Sequence, residues 1–177
     1  FDLAGPEVGF SVLNHKEACT LAVENNINVT LHADWEVPEG IKEVVLDSKA
    51  KRVGHGSQII NDVSFENGTI GFNNDAAKYV FDNRVALEIC PTSNVQCGAY
   101  SSVSEHSFGE LYNAGFNVTI NTDNRLMSDI TMSEEVSNVV ESFGLGEKDI
   151  LSITKNTIEA GFVEPKLRSG LLEKLDN

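Results

Sequence analysis

The sequence predicts an α/β protein with parallel strands, and two observations lead to this class. Short runs rich in Val, Ile and Thr alternate with longer segments of helical pattern, as right-handed crossovers between parallel strands require. Several of these runs are almost continuously apolar or β-branched, as expected for strands that are covered on both faces. The alternation ends in a helical tail, so we predict about four full strands, one strand stub and three terminal helices.

The predicted strands are short, and each ends close to a polar or glycine-containing segment. In chain order they are a stub at residues 1–4, then residues 28–33 (NVTLHA), 52–55 (RVGH), 85–90 (VALEIC) and 117–121 (NVTIN).

The predicted helices occupy the segments between and after these strands. They are residues 11–24, 38–50, 75–83, 104–114, 133–143, 147–161 and 165–175. Pro38 and Glu39 suit the first turn of the second helix. The backbone N–H that proline lacks would have no partner within the helix at that position, and a carboxylate there is stabilised by the helix dipole. Gly115 and Gly144 follow two of the helices, where a left-handed cap is expected.

Composition narrows the class of protein. A chain of 177 residues can form one domain, and we expect residues 1–177 to be a single partial domain. With 13 Lys+Arg against 27 Asp+Glu, a net charge of -14 disfavours a nucleic-acid partner. No apolar run is long enough to span a bilayer, and no signal peptide is present. Three cysteines without a CxxC pair argue against a disulfide framework, so we expect a cytoplasmic protein.

Residues suited to a functional site cluster at the carboxyl end of every predicted strand. They are Gly5, His32, His55, the segment 90–94 (CPTSN) and Asp123. Barrel enzymes carry their active sites at this end of the strands. A doubly wound sheet also binds ligands there, but usually with a glycine-rich phosphate loop, and the sequence contains neither GxGxxG nor GxxxxGK[ST]. Single residues contributed by successive strands favour an incomplete (β/α)₈ barrel.

Two of these residues suit a metal ion. His32 and Asp123 offer an imidazole and a carboxylate, which is a normal ligand pair for Zn²⁺, and His55 is expected nearby. A catalytic zinc typically takes three protein ligands, so the site is incomplete. The chain begins at Phe1 rather than Met, and we therefore expect an N-terminal portion to be missing.

The remaining notable residues have simpler interpretations. His15 lies among polar neighbours and is expected on a solvated helix face. His106 falls in the first turn of a predicted helix and is expected to be a surface or capping residue. Trp35 suits rim packing, Cys90 a buried strand, and Cys97 an ordinary loop position.

The segments DLAGPE, TLHA, RVGHG, LEICPTSN and NTDN, in this order and at these separations, resemble the adenosine deaminase family of metal-dependent amidohydrolases. NTDNRLMS is similar to the bacterial, actinobacterial-type branch. The resemblance implies the C-terminal half of a (β/α)₈ TIM barrel, about strands 5–8 plus a helical tail, with one Zn²⁺ per active site. It also implies hydrolysis of adenosine and deoxyadenosine to the inosine product and ammonia.

The resemblance assigns a role to five residues. His32 and Asp123 would be zinc ligands, and His55 would orient and polarise the zinc-activated water. Gly5 would contact the substrate, and Asn124 would face the purine where many relatives have Asp. Zinc suits this chemistry, because it lowers the pKa of bound water from about 15.7 to about 7.

Two departures from the family pattern matter. The HxH motif, which supplies two further zinc ligands, does not occur in these residues, so we expect this chain alone to be inactive and prone to aggregate. The family's His-Ala-Gly-Glu is replaced by HADWE, so the purine-protonating acid is shifted. We predict Glu36 as this acid, with Asp34, or loss of the acid, as alternatives. The competing functions are deamination of another purine nucleoside or of adenine, and a non-catalytic purine-binding relative.

Overall fold

Five short parallel strands form the main sheet of the protein. The computed structural model describes residues 1–34, 37, 39–66 and 69–175. The parallel strands are β1 Asp2–Leu3, β2 Thr30–Ala33, β3 Arg52–His55, β6 Ala86–Ile89 and β7 Val118–Ile120. Between β3 and β6 the chain forms a separate antiparallel pair, β4 Val63–Glu66 and β5 Thr69–Phe72.

Helices follow or connect these strands. They are α1 Lys16–Glu24, α2 Gly40–Lys42, α3 Asp75–Asp82, α4 Pro91–Gln96, α5 Phe108–Ala114, α6 Arg125–Ser128, α7 Met132–Phe143, α8 Glu147–Ala160 and α9 Pro165–Leu175. A π-helical turn, Glu43–Asp47, continues α2. Three 3₁₀ segments complete the described helical structure: Val12–His15, Ser57–Asp62 and Val103–Glu105.

The order of the strands distinguishes the two predicted architectures. Neighbours in the main sheet run β1-β2-β3-β6-β7, so each parallel strand pairs with the next parallel strand in the chain. A doubly wound sheet would reverse this order at a switch point, whereas a (β/α)₈ barrel adds its strands in one direction. The observed order is therefore that of an arc of a barrel.

One face of the sheet carries the hydrophobic core. Leu31, Val53, Leu87 and Val118 stand side by side in the parallel register, and all four are fully buried. They share a core with residues of the surrounding helices, including Phe108. At roughly 1.5–3 kcal/mol for each fully buried large side chain, this row is a main source of stability for the sheet.

The opposite face of the sheet carries polar side chains on β2, β3 and β6. The Thr30 hydroxyl donates to Glu88 Oε2 at 2.6 Å. Arg52 Nε lies 3.0 Å from Glu88 Oε1, so the three side chains link β2, β3 and β6. Polar groups are tolerated here because each is paired with a neighbour on the next strand.

The predicted elements are confirmed within a few residues at each end, and both glycine caps are left-handed, with φ of 92° at Gly115 and 63° at Gly144. A capping box between Thr131 and Glu134 starts α7. The β4–β5 pair, α4 and α6 were not predicted.

Among the described helices, none combines the length and the apolar character that crossing a bilayer requires.

The edges of the sheet lead to a testable expectation. Of the described strands, β1 pairs only with β2 and β7 only with β6, and exposed apolar side chains such as Phe10 and Leu126 follow these edge strands. Unpaired edges and exposed apolar groups promote association. We expect the 177-residue chain to elute as large species in size-exclusion chromatography, and Leu126→Lys to reduce this association.

The matched control is Leu167→Lys, which changes an exposed leucine on α9, away from the edge strands. It should leave the elution profile unchanged. A monodisperse chain that is insensitive to both substitutions would contradict the expectation.

Candidate active site

The carboxyl ends of the parallel strands bring three of the predicted site residues together. His32 lies on β2 and His55 ends β3, and their ring centroids are 4.7 Å apart in an edge-to-face arrangement. Asp123 follows β7, and its Oδ2 lies 3.9 Å from His55 Nε2. The structure therefore places two imidazoles and one carboxylate in a single cluster.

Two residues of this cluster have a left-handed backbone conformation, which residues other than glycine rarely adopt. His55 has a φ of 61° and Asp123 a φ of 56°. Left-handed non-glycine residues are uncommon and cost about 1–3 kcal/mol when strained, and they concentrate at functional sites. After His55 the turn needs a glycine, because a Cβ on Gly56 would lie 2.7 Å from Leu87 Cδ2.

Glu7 joins this cluster from the segment after β1, although nothing in its sequence context marked it as a site residue. Its Oε1 lies 3.2 Å from His32 Nε2 and accepts a hydrogen bond from the Asp34 backbone N–H at 2.8 Å. Burial would raise the pKa of Glu7, but the hydrogen bonds from His32 and Asp34 hold it below its ordinary value. Burial alone would lower the pKa of His32, yet the Glu7 carboxylate holds it above its ordinary value.

Asp34 is buried beneath the cluster rather than facing solvent. Its Oδ1 accepts from the Ser57 backbone N–H at 2.8 Å and from the Ser57 hydroxyl at 2.6 Å. Its Oδ2 accepts from Asn94 Nδ2 at 2.6 Å, and the residue is only 5% exposed. Burial raises the pKa of Asp34, against the lowering effects of Ser57 and His55. Both carboxylate oxygens are therefore engaged within the protein.

His106 corrects the expectation of a surface residue in the first turn of a helix. It precedes α5 and is 3% exposed. Its Nδ1 accepts from the Phe108 backbone N–H at 2.9 Å, so the capping part of the expectation holds. Its Nε2 lies 3.2 Å from Asn94 Oδ1, and Tyr100 stacks on the ring at 4.0 Å between centroids. The sequence pattern could not reveal this burial, because it depends on contacts with distant segments.

The acid dependence of stability should report on His106. Burial, with a further contribution from His55, lowers its pKa from 6.5 to about 4. The unfolded chain takes up this proton near pH 6.5 and the folded chain only near pH 4, so the free energy of unfolding falls as the pH decreases between them. We expect this group to lower the free energy of unfolding by about 3 kcal/mol between pH 7 and pH 4.

Urea unfolding at pH 7 and pH 4.5, performed on this chain expressed together with the coding sequence upstream of Phe1, measures this effect. His106→Gln should show a smaller loss of stability over the same pH interval than the unsubstituted protein. Equal losses in the two proteins would contradict a neutral, buried His106.

Asp123 is held by a neighbouring hydroxyl. Ser93, in the first turns of α4, donates to Asp123 Oδ2 at 2.6 Å. The Asp123 side chain remains 41% exposed, so it is accessible to a ligand. A carboxylate that is oriented by a second residue and open to solvent is suited to bind a cation.

A cavity of about 510 Å³ lies beside His32 and is lined by Gly5, Glu7 and Phe10 among others. Its size lies in the range typical of small-molecule sites. Gly5 has a φ of +143°, which a residue with a side chain rarely adopts. His15 is exposed as predicted, although it also lines this cavity.

The other candidates are placed as follows. Asn124 is exposed, and its Oδ1 accepts from the Met127 backbone N–H at 3.4 Å as the cap of α6. Cys90 is buried as predicted, and Cys97 is exposed. Glu36 and Trp35 lie outside the described residues.

Two side chains of this cluster are of types that zinc accepts as ligands. His32 and Asp123 are suitable ligand types, but within residues 1–34, 37, 39–66 and 69–175 no three or more His, Cys, Asp or Glu side chains are arranged so that they could hold a metal ion.

An arc of parallel strands in sequential order, with polar groups at its carboxyl end, defines part of an α/β barrel. The adenosine deaminase family model matches residues 1–177, and the chain belongs to this family.

Curated relatives and solved structures agree with this assignment. The chain is 40% identical over 176 residues to an adenosine deaminase of Mycobacterium sp. (strain JLS), covering 98% of this chain and 48% of the relative. It is 38% identical over 178 residues to that of Mycobacterium tuberculosis (strain ATCC 25618 / H37Rv), covering 99% and 48%. The chain thus spans about half the length of the curated relatives it matches.

The structural neighbours establish the fold class. An adenine deaminase from Arthrobacter aurescens matches with a TM-score of 0.87 at 22% identity, covering 99% of this chain and 50% of the neighbour. An N6-methyl-AMP deaminase from Arabidopsis thaliana matches with a TM-score of 0.81 at 27% identity, covering 99% and 48%. The predicted α/β class and partial TIM barrel are confirmed.

Proposed function

We propose that this chain is the C-terminal half of a zinc-dependent adenosine deaminase, whose N-terminal half supplies the HxH motif. The observation that carries the proposal is the cluster of His32, His55 and Asp123 beside a cavity of about 510 Å³ that His32 lines, in a member of this family. The reaction converts adenosine and water to inosine and ammonia, a step in purine salvage. Three unpaired cysteines and the acidic surface favour a cytoplasmic enzyme without a nucleic-acid partner.

The proposed metal site contains one zinc ion, held by His32 and Asp123 together with ligands from the N-terminal half. When bound, zinc would supply Lewis-acid activation of a water molecule. Ser93 holds the Asp123 carboxylate in place. Glu7 faces His32 Nε2 at 3.2 Å and stabilises the protonated imidazole, so metal binding through this nitrogen would require the proton to leave.

The other site residues are assigned to the substrate and to the attacking water. His55 hydrogen-bonds the attacking water, Gly5 leaves room for the nucleoside, and Asn124 faces the purine. Addition of water at C6 requires a proton at a purine ring nitrogen, after which the amine leaves as ammonia. We propose Glu36 as the proton donor. Asp34 is less suited, because both of its oxygens accept hydrogen bonds within the protein.

Two alternatives stay open to experiment. The neighbours include proteins named as adenine deaminase and N6-methyl-AMP deaminase, so the same half barrel is compatible with other purine substrates. The replacement of His-Ala-Gly-Glu by HADWE supports a second candidate, a non-catalytic purine-binding relative.

Substrate comparison tests the proposal. The extended polypeptide, meaning this chain expressed together with the coding sequence upstream of Phe1, should deaminate adenosine and deoxyadenosine with a higher kcat/KM than adenine or N6-methyl-AMP. The change in ultraviolet absorbance as adenosine is converted to inosine gives the rate. A preference for adenine or N6-methyl-AMP would reject adenosine as the substrate. Binding of adenosine without turnover of any of the four would favour the non-catalytic relative.

A further inference from the structure

A chain of buried hydrogen bonds begins at His106. The Phe108 backbone N–H donates to His106 Nδ1 at 2.9 Å. A backbone N–H can only donate, so Nδ1 must present its lone pair and the proton of the neutral ring must lie on Nε2. The stacked ring of Tyr100, at 4.0 Å, holds the imidazole in this orientation.

The next link fixes the amide of Asn94. His106 Nε2 lies 3.2 Å from Asn94 Oδ1, and the proton on Nε2 is donated to this oxygen. The contact with Asp34 indicates the same orientation of the Asn94 amide independently. Asp34 Oδ2 lies 2.6 Å from Asn94 Nδ2, and a carboxylate can only accept a hydrogen bond. Asn94 is 3% exposed, so solvent does not compete for either end of the amide.

The last link reaches His55. Asn94 Nδ2 carries two hydrogens, one directed to Asp34 Oδ2 and the other to His55 Nδ1 at 3.3 Å. His55 Nδ1 is therefore an acceptor, and the ring carries its proton on Nε2. That nitrogen is the one facing the cluster, 3.9 Å from Asp123 Oδ2.

We propose that His106 is a positioning residue which, through Asn94, fixes His55 as the tautomer that carries its proton on Nε2. His55 then presents a hydrogen-bond donor to the reacting oxygen, and it orients the water rather than removing a proton from it. This inference rests on the proposed function, since it assigns the way in which His55 acts in that reaction.

The hydrogen-bonded series from His106 through Asn94 to His55 is called the relay below. Asp34 adds to this relay a contact that the family pattern lacks. It stands where the family pattern has glycine, and glycine has no side chain that could accept from Asn94. With Ser57 on Oδ1 and Asn94 on Oδ2, the Asp34 carboxylate anchors the amide from the side opposite His106. The amide cannot rotate without losing hydrogen bonds at both ends, each worth roughly 0.5–1.5 kcal/mol and more for the charged acceptor.

Two variants of His106 in the extended polypeptide separate positioning from simple packing. His106→Gln keeps a side-chain N–H that can donate to Asn94 Oδ1, whereas His106→Met has similar bulk and no donor. Tyr112→Phe is the control for general loss of stability. It removes the hydrogen bond from the Tyr112 hydroxyl, on α5, to Asp149 Oδ1, which lies outside the relay.

Nitrogen-15 NMR of the imidazole rings reports the tautomer of His55 directly, and steady-state kinetics reports its consequence. We expect the Nε2–H tautomer in the unsubstituted protein and in His106→Gln, and a mixture of tautomers in His106→Met. For adenosine, kcat of His106→Met should fall by about 10- to 100-fold with KM within about twofold, as residues that orient an active-site group typically show. His106→Gln should recover most of this loss, and Tyr112→Phe should leave kcat unchanged.

Two results of these measurements would overturn the proposed role of His106. A His55 ring with its proton on Nδ1 in the unsubstituted protein, or an unchanged tautomer and kcat in His106→Met, would each contradict it. If the unsubstituted protein binds zinc but turns over no purine, the proposed function fails, whereas the tautomer measurement still decides whether His106 acts on His55.

Discussion

Glu36→Gln in the extended polypeptide should lower kcat for adenosine by about 10²- to 10⁴-fold, the usual contribution of a positioned general acid. Glutamine keeps the size and hydrogen-bonding capacity of the side chain but cannot transfer a proton at neutral pH. KM should change little, because the acid acts on the purine nitrogen as water adds. Initial rates over a range of adenosine concentrations measure both parameters.

Asp34→Asn is the matched control for this prediction. It should destabilise the protein, because an amide cannot accept at both positions that Ser57 and Asn94 now occupy with the carboxylate. Its effect on kcat should be smaller than that of Glu36→Gln. Unchanged turnover in Glu36→Gln, combined with loss of turnover in Asp34→Asn, would assign the proton transfer to Asp34 and contradict the account.

Asp123→Ala and His32→Ala should each abolish zinc binding and turnover in the extended polypeptide. Several kcal/mol of transition-state stabilisation are attributed to a catalytic metal, and each 1.36 kcal/mol is a factor of ten in rate. We therefore expect kcat to fall by about 10³-fold or more. Metal analysis after dialysis, together with kinetics on the same samples, tests both parts.

Ser93→Ala provides a graded comparison. It leaves both proposed ligands in place and removes only the hydroxyl that donates to Asp123 Oδ2. Zinc affinity should fall by about 10- to 100-fold, and excess zinc should restore activity. Full zinc occupancy in Asp123→Ala would mean that Asp123 is not a ligand.

The sequence predicted the strands well because each is a short apolar run that ends at a polar residue. Its prediction for β3, residues 52–55, matches the structure, where the strand is Arg52–His55. The β4–β5 pair was missed although the segment between its strands reads Asn67-Gly68, the strongest local signal for a hairpin. Neither strand of this pair belongs to the main sheet, so the repeating strand–helix pattern did not point to them.

The sequence identified a site residue only where its residue type and its place at the end of a strand together indicated a role. His32, His55 and Asp123 were selected because each lies at or just beyond the carboxyl end of a predicted strand, and the structure brings them together. Glu7 and His106 were not assigned to the cluster, because their positions depend on contacts between distant segments. His106 meets Asn94 across 12 positions of the chain, and Asn94 meets Asp34 across 60. A linear pattern does not encode such tertiary hydrogen bonds.

The most direct test of the central claim is the zinc content of the extended polypeptide, measured with adenosine turnover on the same preparation. The account predicts one zinc ion per chain, loss of turnover on chelation, and recovery on addition of zinc. A folded, monodisperse protein that binds no zinc at neutral pH, or that deaminates adenosine equally well after its zinc has been removed, would contradict it.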